Sequence, residues 1–244
     1  MVLLPIKVSI PSSVPGNIQT GDAQFQVPVV CPELDTLLRG PPRPRWRDSW
    51  RSNILRCRMK RALPWPAIVV VLVGTAYQLR SQGRLWWCSC DYLLLWSGDP
   101  WSSDNSQHLL DPYSFTHMLH GFVLYGLLAL VAARLSPPWR LWLAVSIEAL
   151  WEVVENSEFV IRRYRQETAA LGYHGDTIIN SLADILVCGL GFVLARYLGA
   201  RRTVALFLVT EAVLTVWIRD SLLLNVLMLI YPIDAIKDWQ AAGH

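Results

Sequence analysis

The chain has 244 residues, 53% of them hydrophobic and 17% charged, with a formal net charge of +3. Soluble domains carry about 25% charged residues, and the mean hydropathy here is +0.31. With recurrent apolar runs long enough to cross a bilayer, these values set aside an ordinary soluble enzyme and imply an all-α, polytopic membrane helix bundle of about five transmembrane helices.

Residues 1–58 are rich in Pro, Ser, Gly and Arg without sustained periodicity and read as a disordered basic tail. Met59 opens "MKRALPWPAIVVVLVGTAYQL", a short basic region ahead of an apolar run. A start at Met59, with 59–244 as the transmembrane domain, is therefore the alternative reading. No A-x-A site follows that run, which speaks against a cleaved signal peptide. Between Arg39 and Arg61 stand nine Arg or Lys against one acid, Asp48. This cluster abuts the first apolar run and belongs at the anionic cytoplasmic lipid surface, not on nucleic acid. No phosphate-binding glycine loop is present: "YLGARR" falls at a helix end and "GLGF" inside a helix.

Five apolar segments follow, at roughly 64–80, 115–135, 140–160, 177–198 and 203–218. The stretch "LLLNVLMLIYP" (222–232) is too short to span and reads as re-entrant, interfacial, or the end of a tilted fifth helix. "IDAIKDWQ" is amphipathic and belongs at the interface. A cytoplasmic N-terminus puts loops 81–114 and 161–176 outside, and Arg134, Arg140, Arg196, Arg201 and Arg202 inside. Arg162, Arg163 and Arg165 fall on the outer side against that rule, and are expected to meet an anionic group there. Cys31 and Cys57 lie in the tail, and Cys188 reads as a buried structural thiol. Cys88 and Cys90 in "WWCSCDY" fall short of a zinc pattern.

The third segment carries Glu148, Glu152 and Glu155 at i, i+4 and i+7, with Asn156 beside the last. They share about 60° of arc. A charge near the bilayer centre costs on the order of 2.5–3.5 kcal/mol, so that face must point into the bundle. The second segment offers His117 and His120, the fourth Asp176, Asn180 and Asp184, and the fifth ends in Arg219 and Asp220. All lie toward the outer leaflet, beneath a loop that includes Ser106, His108 and Asp111. The expectation is a polar chamber at or just beneath the outer surface, with Gly121, Gly126, Gly189 and Gly191 letting the second and fourth helices approach closely.

Blander roles stand beside these. Asn180 also suits interhelical glue, His117 and His120 suit interfacial residues, Glu211 suits a local pair, and Arg219 with Asp220 suits a charge pair at the membrane edge. Glu152, Glu155 and Asp184, being acidic, deep and aligned, resist such readings best.

The motifs "SSDNSQHLLDPYSFTHMLHGF", "EALWEVVENSEF", "YHGDTIINSLADILVCGLGF" and "IRDSLLLNVLMLIYP" together resemble an uncharacterised family of bacterial multi-pass inner-membrane proteins, from about residue 80 to the C-terminus. That resemblance implies location and topology and brings no known activity. More distantly, the order of His120, Ile147, Glu148, Asp176 or Asp184, Asn180 and Gly191 resembles the VanZ-like family. Glu152 stands near the place where that pattern expects a Gln. This second likeness implies cell-envelope or lipid-linked work.

Three functional classes remain. The first is a site that binds or acts on a lipid or lipid-linked anionic headgroup. In it, His117, His120 and Glu152 hold a divalent metal, while Glu152, Glu155, Asp184 or His120 serves catalysis. Glu148, Asn156, Asp176, Asn180, Arg162, Arg163, Arg165, Arg219, Asp220, Ser106 and His108 would line it. The second is a proton- or cation-coupled transporter. The third is a structural subunit whose polar face meets a membrane-protein partner.

Overall fold

The computed structural model describes residues 62–168 and 172–242. The basic tail, Cys31, Cys57 and the question of a start at Met59 lie outside the described residues. Among these residues there are eight helices and no strand: α1 (Pro64–Ser81), α2 (Ser114–Val131), α3 (Pro137–Glu155), α4 (Glu158–Glu167), α5 (Ile178–Leu198), α6 (Ala200–Trp217), α7 (Leu222–Ile230) and α8 (Asp234–Ala241).

Local chemistry sets the boundaries. Prolines open α1 and α3, where the missing N–H costs nothing. Thr177 caps α5, its side chain accepting from the Asn180 N–H. Gly199, at φ 74°, ends α5 and starts α6 in a conformation that L residues avoid. The third apolar segment does not continue to residue 160. It stops at Asn156, and Ser157 caps a separate amphipathic helix, α4, by accepting from the Val160 N–H. The "IRRYR" run therefore lies on a short helix rather than in a loop.

By length and composition, α2 and α5 can each cross a membrane, and α6 with α7, bent by 71°, makes a third if taken as one broken span. Of the five spans expected, two, or three with the bent pair, pass on length and composition. α1 ends in Gln78, Arg80 and Ser81, and α3 carries Arg140 with three glutamates, so neither is apolar enough by itself. The α7 segment matches the expected short C-terminal piece.

Helices α2, α3 and α5 enclose an apolar core that includes Leu124, Leu128, Leu141, Val145, Ile185 and Phe192. The tightest meeting is α2 against α5. A Cβ at Gly121 would stand 2.6 Å from the Phe192 backbone nitrogen and nearer still to the Cys188 carbonyl oxygen, and one at Gly191 would strike the Met118 carbonyl. These two glycines do what the sequence suggested. Gly126 faces open space, and Gly189 makes only ordinary contact with Val145 and Leu141 of α3.

Candidate functional site

The polar residues gather where the N-terminal turns of α2 and α5 meet the C-terminal half of α3. The α5 start is anchored by the segment after α1. Ile178 N–H donates to the Leu85 carbonyl at 2.8 Å and Ile179 N–H to the Trp86 carbonyl at 3.2 Å. These bonds satisfy two donors that a helix start leaves unpaired. Thr177 N–H donates to the Ser106 carbonyl, and Gln107 Nε2 donates to the Gly175 carbonyl. Asp111 opens α2, accepting from the N–H groups of Tyr113 (2.8 Å) and Ser106 (2.9 Å). That grip holds Ser106 at φ 61°, a left-handed conformation rare outside glycine. Burial, then the nearby Asp176 charge, raises the Asp111 carboxyl above its ordinary range, and its backbone donors oppose the shift.

Within this frame, Glu148 accepts from two imidazoles: His117 Nδ1 at 2.6 Å and His120 Nδ1 at 2.9 Å from its Oε1. His117 Nε2 then faces Asp184 Oδ2 at 4.0 Å, and Asp184 Oδ1 accepts from the Ser114 hydroxyl at 2.7 Å. Asn156 ties α3 to the α5 approach. Its Nδ2 reaches Asp176 Oδ2 at 2.9 Å and Ser181 Oγ at 3.2 Å, and its Oδ1 accepts from the Asp176 N–H at 2.7 Å. The Tyr173 hydroxyl donates to Asp176 Oδ1 at 3.0 Å. Burial raises the Asp176 carboxyl, and the Asn156 and Tyr173 bonds hold the rise in check.

Glu152 differs from its neighbours. It is 0% exposed, and neither carboxylate oxygen accepts a hydrogen bond among the described residues; the nearest imidazole nitrogen, His117 Nδ1, stands 3.3 Å from Oε1. Glu155 is half-buried, with Oε1 3.0 Å from the Tyr164 hydroxyl and a shielded Oε2 that likewise lacks a partner. The Tyr164 hydroxyl lies also 2.9 Å from Asn225 Oδ1, and Asn225 Nδ2 is 3.5 Å from Asp220 Oδ2. Polar contact thus runs from α3 through α4 to the bend between α6 and α7.

The sequence expectation of one polar cluster holds for His117, His120, Glu148, Glu152, Glu155, Asn156, Asp176 and Asp184. Asn180 is buried beside them on α5, its Nδ2 without an acceptor among the described residues. Ser114, Ser181, Tyr164 and Tyr173 were missed. Ser114 had a signal, since it precedes His117 by one helical turn; the two tyrosines had none without the fold.

Other expected members sit elsewhere. Arg162 is exposed beside Glu158, Arg163 donates to the Leu229 and Ile230 carbonyls, and Arg165 engages the Tyr173 carbonyl and His174. Long arginine side chains take the nearest carbonyls and carboxylates, so the cluster is not lined by them. Arg219 donates to the Trp239 carbonyl at 2.7 Å and lies over the Trp239 ring, turning away from the charge pair expected with Asp220. His108 belongs to the covering loop: its ring stacks on Tyr92 and its Nδ1 accepts from the Leu94 N–H. Beside it, Cys88 and Cys90 form a disulfide. An open, largely apolar groove runs along α6 and α7, lined by residues such as Leu208, Ala212 and Leu224, away from the cluster.

Two imidazoles and five carboxylates in one buried region can hold cations or pass protons. Three sets place their donor atoms within 4.8 Å of one another: His117, His120 and Glu148; His117, Glu152 and Asp184; and Glu152, Glu155 and Asp176. The set expected from sequence, His117 with His120 and Glu152, is therefore redrawn, because His120 turns to Glu148.

These features define an all-helical protein with two to three helices able to cross a membrane and an acid–imidazole cluster at one end. The chain belongs to the DUF2585 family of proteins of unknown function, which it matches over residues 79–242. It is 47% identical over 183 residues to a UPF0314 protein of Paracoccus denitrificans, covering 75% of this chain and 95% of the relative. A UPF0314 protein of Rhizobium meliloti is 46% identical over 189 residues, covering 75% and 94%. One of Novosphingobium aromaticivorans is 43% identical over 187 residues, covering 72% and 88%. The resemblance to an uncharacterised family from about residue 80 is thereby borne out. No solved structure matches the chain.

Proposed function

We propose that the protein is a multi-pass inner-membrane protein whose buried cluster faces the outer leaflet and takes an anionic headgroup of a lipid or lipid-linked molecule, through a bound divalent cation. The observation that carries this reading is the seating of His117, Glu148, Glu152 and Asp184 at one end of an otherwise apolar bundle, beneath the loop that contains Ser106 and Asp111. Bare carboxylates repel an anion, so a headgroup is held there only by a cation that the carboxylates and imidazoles bind first. A carboxylate or imidazole of the cluster left off the cation would then take a proton from a bound water or hydroxyl.

The test is lipid retention. Wild type purified from membranes is expected to carry an anionic lipid, seen by native mass spectrometry, that Glu152→Gln loses at equal abundance. An identical lipid complement in both proteins overturns the reading. If the variant simply fails to accumulate, Glu155→Gln, at a half-buried position, serves in its place.

A second reading, a proton- or cation-coupled transporter, draws on the Glu155–Tyr164–Asn225–Asp220 chain, which leads out of the cluster toward the α6–α7 bend. Proton flux into vesicles that is unchanged in Tyr164→Phe counts against it.

A further inference from the structure

We propose that the cluster holds two divalent cations joined by Glu152, one on His117, Glu152 and Asp184 and the other on Glu152, Glu155 and Asp176. This inference deepens the headgroup reading and rests on the cluster being a cation site.

The two donor sets share Glu152, and the donor atoms of each lie within 4.8 Å of one another. A fully buried carboxylate with two bare oxygens is costly, since both lone-pair edges have lost water without gaining a donor. Shared between two ions, one oxygen to each, it loses that penalty. Bridged pairs of this kind stand roughly 3.5–4 Å apart. The bare Oε2 of Glu155 is a third such oxygen, one helical turn along α3.

The surrounding bonds fit the same arrangement. Glu148 faces the Nδ1 of both His117 and His120, so a ring that ligates a cation would donate Nδ1–H to Glu148 and offer Nε2 to the ion. A carboxylate behind a ligating imidazole is the usual support for a metal-bound histidine. Glu148 is thus a positioning residue rather than a ligand. His117 Nε2 and Asp184 Oδ2 stand 4.0 Å apart, too far for a hydrogen bond but within the span of one ion with ligands at about 2.0–2.2 Å. On the other side, Asp176 is aimed by Asn156 and Tyr173.

Charge balance decides the number of ions. The two sets contain four carboxylates, Glu152, Glu155, Asp176 and Asp184. Two divalent ions match these four charges where one would leave two uncompensated, and the fifth carboxylate, Glu148, is left to its two imidazoles. Oxygen donors with one imidazole, and no thiolate, suit Mn²⁺ or Zn²⁺.

The full chain, purified in detergent and stripped with chelator, is titrated with Mn²⁺ alone and read by metal content and electron paramagnetic resonance. Wild type is expected to take two equivalents and give an exchange-coupled signal. Glu155→Gln and Asp184→Asn should each take one, with the six-line spectrum of an isolated ion, and Glu152→Gln should lose the coupling altogether. One equivalent or none in wild type, or two uncoupled ions, overturns the proposal. Because the wild-type titration suffices, the outcome does not depend on a variant folding. Two coupled ions without retained lipid would leave the cation pair standing and remove the headgroup reading. Lipid retained in the wild type together with one equivalent of Mn²⁺ or none would do the reverse.

Discussion

The three helices that enclose His117, Glu148, Glu152 and Asp184 at one end enclose Leu124, Leu128, Leu141, Val145 and Phe192 toward the other. At the apolar end every side chain fills space, and lipid would solvate it nearly as well. Packing there gains mainly van der Waals contact. At the polar end the side chains would be better off in water, and only exact partnering or a ligand offsets their burial. The lesson is a division of labour along one bundle: the apolar half supplies shape, while the acid–imidazole half spends stability on a site. Between them lies the Gly121–Gly191 contact, which sets how near α2 and α5 come.

Breaking that contact should have the largest effect. Gly121→Leu must push α2 off the Cys188 and Phe192 backbone, so both halves lose their geometry and the protein should fail to accumulate in membranes. Gly126→Leu, facing open space, is the control, and immunoblots of the membrane fraction compare them. Equal abundance would mean the glycine contact does not govern the bundle.

A smaller effect is expected at the apolar end. Leu128→Ala opens a cavity in the α2–α3–α5 core. With lipid as the alternative solvent the transfer part is weak, so the loss should sit near the low end of such substitutions, about 2 kcal/mol, measured by denaturant unfolding in detergent. The cation stoichiometry should be unchanged, because Leu128 lies beyond the glycine contact from the cluster.

The smallest effect is a slope with pH. The Asp111 carboxyl is raised in the folded state, so the fold binds its proton more tightly than the unfolded chain does. The resulting penalty is absent below the unfolded value of about 3.9, grows as pH rises, and is complete once pH passes the folded value. Stability should therefore increase on acidification from neutrality, and Asp111→Asn should flatten that slope in melting curves taken across pH. An unaltered slope would assign the effect to other carboxyls.

Much of this was legible in the sequence where a period or a strong punctuator carried it. The i, i+4, i+7 glutamates had to face inward because lipid cannot solvate them; Glu148 and Glu152 are buried and Glu155 is half-buried. Gly121 and Gly191 announced a close approach. The stop at Asn156 was written in "NSE", a cap followed by an acid, but the apolar residues Phe159 and Val160 masked it. Five spans were expected and composition supports two or three, because α1 and α3 carry more polar residues than α2 and α5. The arginines were misjudged for a different reason: a side chain with five donors takes whichever carbonyl the fold brings near, and sequence spacing says nothing of that. The pairing of Glu148 with both histidines, which frees Glu152, depends on rotation of α2 against α3 and has no one-dimensional signature.

Glu211, on α6, accepts the Leu222 N–H at 3.0 Å and the Leu223 N–H at 3.1 Å with its two oxygens, while Ser221 Oγ takes the Leu224 N–H. One carboxylate thereby plays the part of a missing turn, and the corner it closes is a bracket rather than a hinge. Any working cycle that swings α7 must first make Glu211 let go of two amides, so motion is more cheaply found in the segments around that corner than in the corner itself.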